Sequence, residues 1–207
     1  MQEIKKLLKQ ISQIINNKNM SKKYSKINEL ILTFFYCGKA KFAPGTFGTI
    51  GALIFWIFVN NYFVEENFPV ILQYIFWIIL ISFFCIYAFY EIPNYHLIKN
   101  SKDIDHKSIV VDEAVGIFIA LEIFNFSAQE IYIFSQPKFM IYVLLCFILF
   151  RFFDIKKPSL IGICDRKLKN SFGVMLDDII CGILAGVITL VIYKFSVNSQ
   201  FFKLINC

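Results

Sequence analysis

Three pairs of ionisable residues stand where long apolar runs begin or end: Asp112 with Glu113, Arg151 with Asp154, and Asp177 with Asp178. A charged side chain within a membrane helix costs about 2.5–3.5 kcal/mol at mid-helix and less near an interface, so it survives where it faces a polar cavity, a partner or an ion. Carboxylates from separate segments that meet at one depth repel unless something positive sits among them. A hard divalent cation answers that need, and Mg²⁺ suits a carboxylate set that leaves positions for water and phosphate oxygens. Asp112, Glu113, Asp177 and Asp178 are the candidate ligands, directly or through water, and Asp154 completes or orients the set. Neighbours on a helix point about 100° apart, so both members of a pair need not reach the same ion. Arg151, Lys156 and Lys41 are the complementary half, cations able to offset charge on the non-bridging oxygens of a phosphate. Direct attack by water and attack by an aspartate through an acyl-phosphate both fit this set of residues.

A fourth segment adds an anion-binding pattern. Ala43-Pro44-Gly45-Thr46-Phe47-Gly48-Thr49 is a Pro-Gly turn with two hydroxyl residues, followed by an apolar run. A helix starting there exposes unpaired N–H groups, glycine lets the backbone approach a phosphate, and Thr46 and Thr49 add hydroxyls. It is not a P-loop, because the Gly-Lys-Ser/Thr ending is missing. Each feature also has an ordinary reading. Pro-Gly-Thr caps helices, Asp177 and Asp178 can complement a helix dipole, and Arg151 with Asp154 at i, i+3 can be a local ion pair. His96 and His106 are singletons, although His106 follows Asp105 closely enough to assist proton transfer. Gly182 and Gly186 form a Gly-xxx-Gly step that helix packing explains.

These residues need elements to hold them. The chain is 57% hydrophobic and 18% aromatic, above an ordinary soluble domain, and the excess lies in separate runs. Five segments approach the roughly 20 apolar residues that cross a bilayer: about 47–64, 69–90, 109–126, 138–153 and 178–195. The third carries Asp112, Glu113 and Glu122 and is the weakest, so an alternative has four spans with this segment re-entrant. Residues 28–37 are apolar but too short. The expected architecture is all-α, a polytopic transmembrane bundle of four to five spans. An N-terminal arm (1–30), with Ile4, Leu7, Leu8, Ile11, Ile14 and Ile15 at helical spacing among lysines, reads as a basic amphipathic helix on the membrane surface. The membrane domain would cover 31–197 and a tail 198–207.

Loop charge gives a side. Short cytoplasmic loops collect Lys and Arg. The N-terminal arm, the loop with Lys99, Lys102 and Lys107, and the loop from Arg151 through Lys169 are basic; the loops around Glu65–Glu66 and Glu130 are not. Five crossings with the N-terminus inside follow; Asp105, Asp112, Glu113, Arg151, Asp154, Asp177, Asp178, Lys41 and the Pro44-Gly45-Thr46 turn then all lie at the cytoplasmic end, while Glu65, Glu66 and Glu130 lie on the other side. The balance of 21 Lys+Arg against 15 Asp+Glu is clustered in the arm and loops, which argues against a nucleic-acid surface and fits contact with anionic lipid headgroups. The six cysteines form no CxxC pair and are expected to be free thiols.

Four blocks together resemble the phosphatidylglycerophosphatase A family: Phe42-Ala-Pro-Gly-Thr-Phe-Gly-Thr49, Asp105-His-Lys-Ser-Ile-Val-Val-Asp-Glu-Ala-Val-Gly116, Phe150-Arg-Phe-Phe-Asp-Ile-Lys-Lys-Pro158 and Gly173-Val-Met-Leu-Asp-Asp-Ile-Ile-Cys-Gly182. They keep the family's order and similar separations. Thr49 stands where the family usually has Ser, Ser159 where Trp is common, and Cys181 where Ala is common; none of these removes a charge. The resemblance implies Mg²⁺-dependent hydrolysis of phosphatidylglycerol phosphate to phosphatidylglycerol and phosphate, at the cytoplasmic leaflet of a bacterial inner membrane. Three rival classes remain, of which a non-catalytic membrane scaffold leaves the acid cluster unexplained. A transporter would place acids near mid-membrane, often with repeats and broken helices. A CDP-alcohol phosphotransferase would need a longer acidic signature, of which Asp177-Asp178 with Gly182 is only a fragment.

Overall fold

The computed structural model describes residues 26–99, 107–127, 137–157 and 171–205. The N-terminal amphipathic arm, Asp105, His106 and most of the basic loop after Lys157 lie outside the described residues. Within them the chain is all helical, with no strand. The helices are α1 (Lys26–Leu32), α2 (Pro44–Glu65), α3 (Val70–Lys99), α4 (Val111–Ser127), α5 (Pro137–Lys156) and α6 (Ser171–Ile205), with a 3-10 turn at Cys37–Lys39. The short apolar stretch 28–37 is thus α1 and the turn after it, while α6 runs on to Ile205, into the stretch expected as a tail.

Local chemistry sets the ends that matter. Pro44 opens α2, where its missing N–H costs nothing, after Ala43 turns the chain with a left-handed φ of 44°. Lys157 ends α5 in the same way, at φ 41°, with its N–H on the carbonyl of Phe153 at 2.8 Å. α6 begins at Ser171, so Asp177 and Asp178 sit in its second turn and are not caps.

Successive long helices alternate in direction. Arg151 near the end of α5 reaches Thr46 at the start of α2, and Tyr95 late in α3 bonds Ser108 just before α4, at 2.7 Å. Tyr142 of α5 pairs with Ser196 far along α6. The starts of α2, α4 and α6 therefore share one end of the bundle with the ends of α3 and α5.

α4 is the central helix. Val111, Ala114, Val115, Ile117, Phe118, Ala120, Leu121 and Phe124 have no exposed surface. Its closest neighbour is α6: a Cβ on Gly182 would overlap the carbonyl of Gly116 and lie 3.0 Å from its carbon, and one on Gly186 would lie 2.7 Å from Ala120 O. The Gly182–Gly186 step is therefore a packing device, as expected. On the other side of α4, Phe118 meets Phe34 edge-on and Trp77 at a tilt, and Trp56 packs at a tilt on Trp77. The outer surface is apolar: Ile71, Ile78, Ile79 and Ile86 of α3 and Ile54 and Phe58 of α2 are all more than half exposed.

Among the described residues, three helices are long and apolar enough to cross a membrane: Pro44–Glu65, Val70–Tyr95 and Phe172–Val197. This is fewer than the four to five expected. α4 has 17 residues, about 26 Å at 1.5 Å each, and carries three acids. α5 gives its last two turns to Arg151, Asp154 and Lys156. Because α4 is wrapped by protein, its polar groups are kept from lipid, which is the condition a hydrocarbon environment sets.

Candidate active site

The shared end of the bundle gathers the acids. Asp112 and Glu113 lie in the first turn of α4, where negative charge is favoured by the helix dipole. One oxygen each from Asp112, Glu113 and Asp178 lie within 4.8 Å of one another, across the close α4–α6 contact. Asp112 and Asp178 are only 5% and 4% exposed. Glu113 Oε2 is buried with no hydrogen-bond partner among the described residues.

Arg151 stands beside this group and ties three helices together. Its Nη1 lies 3.8 Å from Glu113 Oε1 and 3.4 Å from Thr49 Oγ1; its Nη2 lies 3.4 Å from Thr46 Oγ1. Asp154, three residues along, forms a close ion pair with Nη1. The local ion pair foreseen as the ordinary reading is therefore present, and the same arginine also faces the acids of α4. Thr49 donates to the carbonyl of Gly45 at 2.8 Å, leaving its oxygen to accept from Arg151. Gly45 is packed so tightly that a Cβ there would overlap Glu113 Oε1 and sit 3.3 Å from Arg151 Nη2. The first turn of α2 has no side-chain cap.

Asp177 occupies a different place. Its Oδ2 accepts from Lys157 Nζ at 2.6 Å and its Oδ1 from the N–H of Asp178 at 3.1 Å. It is held beside the three-carboxylate group, not counted within it. Lys157, the partner, was not singled out in the sequence; its left-handed backbone distinguishes it from Lys156, which is exposed. Lys41 is also exposed and lines a separate cleft described below. The structure thus brings together Asp112, Glu113, Asp178, Arg151, Asp154, Gly45 and Thr46, sets Asp177 one step away, and leaves Lys41 and Lys156 outside. Among the described residues the cluster holds five carboxylates against two cations, an excess of three negative charges if all are ionised.

Away from this end, Trp56 Nε1 donates to Glu122 Oε1 at 2.7 Å in the bundle interior. The described cysteines, Cys37, Cys85, Cys146 and Cys181, are free thiols. An apolar groove of about 440 Å³ runs between α3 and α6, lined by Phe89, Phe172, Met175 and Ile179 among others, and Ile179 adjoins Asp178.

Comparison with known proteins gives this arrangement its family. The model of the phosphatidylglycerophosphatase A family matches residues 30–193, which span all the elements just described except the ends of α1 and α6. The chain belongs to the phosphatidylglycerophosphatase A family. Among its relatives, the phosphatidylglycerophosphatase A of Haemophilus influenzae is 32% identical over 84% of this chain and 94% of its own length. That of Escherichia coli is 27% identical over 77% of this chain and 80% of its own. A Bacteroides thetaiotaomicron protein named as a candidate phosphatidylinositol-3-phosphatase is 32% identical over 77% of this chain and 89% of its own length. No solved structure matches. By its family, this phosphatidylglycerophosphatase A chain is a phosphatase.

Proposed function

We propose that the chain hydrolyses phosphatidylglycerol phosphate to phosphatidylglycerol and phosphate, using Mg²⁺, at the cytoplasmic face of a bacterial inner membrane. One observation carries the reading: carboxylates from α4 and α6 converge beside an arginine from α5 and the uncapped start of α2. An oxygen-only donor set with a buried, unpartnered carboxylate oxygen fits a hard divalent cation. In the proposal Asp112, Glu113 and Asp178 hold Mg²⁺, which when bound withdraws charge from the phosphoryl oxygens. Asp177, first expected as a ligand, instead orients the segment through Lys157 and the Asp178 N–H.

The protein's own groups do the positioning. Arg151, steered by Asp154 and the two threonine hydroxyls, aims its guanidinium at the space where phosphate oxygens gather. The N–H groups at the start of α2 add fixed positive partial charge there, and Gly45 allows close approach. Hydrolysis breaks the bond between phosphorus and the glycerol oxygen and places a water oxygen on phosphorus; preorganised donors stabilise the charge that builds on the phosphoryl oxygens. The apolar groove beside α6 suits an acyl chain. The alternation of basic and non-basic loops, with alternating helix direction, supports five crossings with the N-terminus inside.

The test is phosphate release from phosphatidylglycerol phosphate by the purified protein, with Mg²⁺ or with a chelator. Phosphatidic acid and phosphatidylinositol 3-phosphate complete the panel, the latter because of the Bacteroides relative's name. Mg²⁺-dependent release that disappears in Asp112→Asn supports the reading. Release that is indifferent to both refutes the site, and release confined to another lipid refutes the substrate.

A further inference from the structure

An open cleft of about 500 Å³ lies beside the acid cluster and is lined by Lys39, Lys41, Lys107 and Pro44 among others. We infer that this lysine cleft is a second anion subsite, which takes the phosphodiester of the lipid whose terminal phosphate sits at Arg151. The inference rests on the function proposed above and deepens it, since it would make the enzyme a reader of lipids carrying two phosphates.

Charge is the first support. Among the described residues, three lysines line the cleft against one acid, Glu29, beside a site where carboxylates outnumber cations. Lys39 is the fixed member: its Nζ lies 3.0 Å from Glu29 Oε1 and 4.4 Å from the centre of the Tyr36 ring. Lys41 and Lys107 make no ion pair among the described residues. The volume falls in the usual range for small-ligand sites.

Construction is the second. The lysines come from two segments far apart in sequence that the fold clamps together. Gly38 presses on Ser108 so closely that a Cβ would lie 3.0 Å from both the Ser108 carbonyl carbon and Val110 Cγ2. The N–H of Val110 donates to Leu32 O at 3.0 Å. Lys39 and Lys107, each next to one of those contact residues, are therefore placed by backbone packing.

Position is the third. Pro44 lines the cleft, and Gly45, the next residue, is the one packed against Glu113 and Arg151. The two sites adjoin across a single peptide unit. Phosphatidylglycerol phosphate has its phosphates separated by one glycerol, so a lipid with its monoester at Arg151 has its diester close by. Phosphatidic acid has one phosphate and cannot fill both.

The experiment compares wild type with the double variant Lys41→Ala, Lys107→Ala in neutral detergent micelles. It measures KM and kcat for phosphatidylglycerol phosphate and the inhibition constants of the two products, short-chain phosphatidylglycerol and inorganic phosphate. Charge-assisted contacts in an open cleft predict KM and the phosphatidylglycerol constant rising by roughly tenfold. kcat and the inorganic phosphate constant should move much less, and a retained kcat certifies the fold. Equal weakening of both products, or no weakening of either, overturns the subsite. Loss of the KM effect in micelles, with its return only when a bystander anionic lipid is added, would assign the cleft to bilayer lipid and overturn it too. A wild type that releases no phosphate from phosphatidylglycerol phosphate refutes the proposed function itself, whereas an active wild type with an unaltered variant refutes only the subsite.

Discussion

Replacing Asp178 with Asn separates the cost of the acid cluster from its use. Charged oxygens 4.8 Å apart repel by roughly 3.5 kcal/mol per pair at an effective dielectric of about 20. Asp178 belongs to two such pairs, with Asp112 and with Glu113. The repulsion has a ceiling, because a carboxyl of ordinary acidity can take up a proton at pH 7 for about 4 kcal/mol. Without a divalent cation, the isosteric and uncharged Asn should therefore stabilise the protein by about 2–4 kcal/mol. For a chain of this size that is a rise of about 5–15 °C in the unfolding midpoint. The assay is thermal unfolding of both proteins in neutral detergent, in chelator and in millimolar Mg²⁺, with phosphate release measured alongside. Wild type should gain stability on adding Mg²⁺ while Asp178→Asn gains little, and the variant's phosphate release should fall at least about 100-fold. A variant that melts at or below wild type in chelator, or a Mg²⁺ shift equal in both, would show that these carboxylates do not share one charge centre.

Arg151→Lys keeps the charge but loses the fork that spans Thr46, Thr49 and Glu113, so kcat/KM for phosphate release should drop roughly 10–100-fold while the unfolding midpoint changes little. Gly182→Ala puts a Cβ 3.0–3.2 Å from Gly116 backbone carbons; α6 must back away, costing about 1–3 kcal/mol in unfolding measurements and lowering activity because Asp178 rides on the same helix. Glu122→Gln retains an acceptor for the Trp56 N–H and lies about 13 Å along α4 from Glu113, so phosphate release should stay within about twofold; a large loss would favour a path through the bundle over a site at one end.

The carboxylate cluster that forms the candidate site was legible because its residues break the apolar pattern. Asp112, Glu113 and Asp178 stand out from their runs, and the loop charges put their ends of the helices on one side. What was not legible depended on backbone turns that composition does not encode. Lys156 and Lys157 are equivalent as letters, yet a left-handed φ at Lys157 accompanies its ion pair with Asp177, while Lys156 stays exposed. Asp177 likewise looks as good a ligand as Asp178, and only the packing of α6 against α4 sets which of the two faces α4. The close approach of Gly38 to Ser108, which assembles the lysine cleft, joins segments about seventy residues apart and leaves no local signal.

Only three described helices are long and apolar enough to cross a membrane for a related reason, which bears on how the protein works. Hydropathy reports what a helix touches only if it touches lipid. α3 is suited to do so: its exposed face is rich in isoleucine and aromatic residues, and its polar residues lie mainly near its ends. α4 touches mostly protein, so it can be short, carry Asp112 and Glu113 at one end and Glu122 within, and still be the most enclosed helix in the bundle. The apolar requirement falls on α2, α3 and the outer face of α6, and that frees α4 to present acids. Gly116 and Gly182 are what make the arrangement work, because only backbone-to-backbone contact brings Asp178 of α6 within reach of Asp112 and Glu113. A polar substitution on the outer face of α3 should therefore disturb insertion and leave the intrinsic activity of the protein that does insert intact, whereas enlarging either glycine should leave insertion intact and separate the carboxylates.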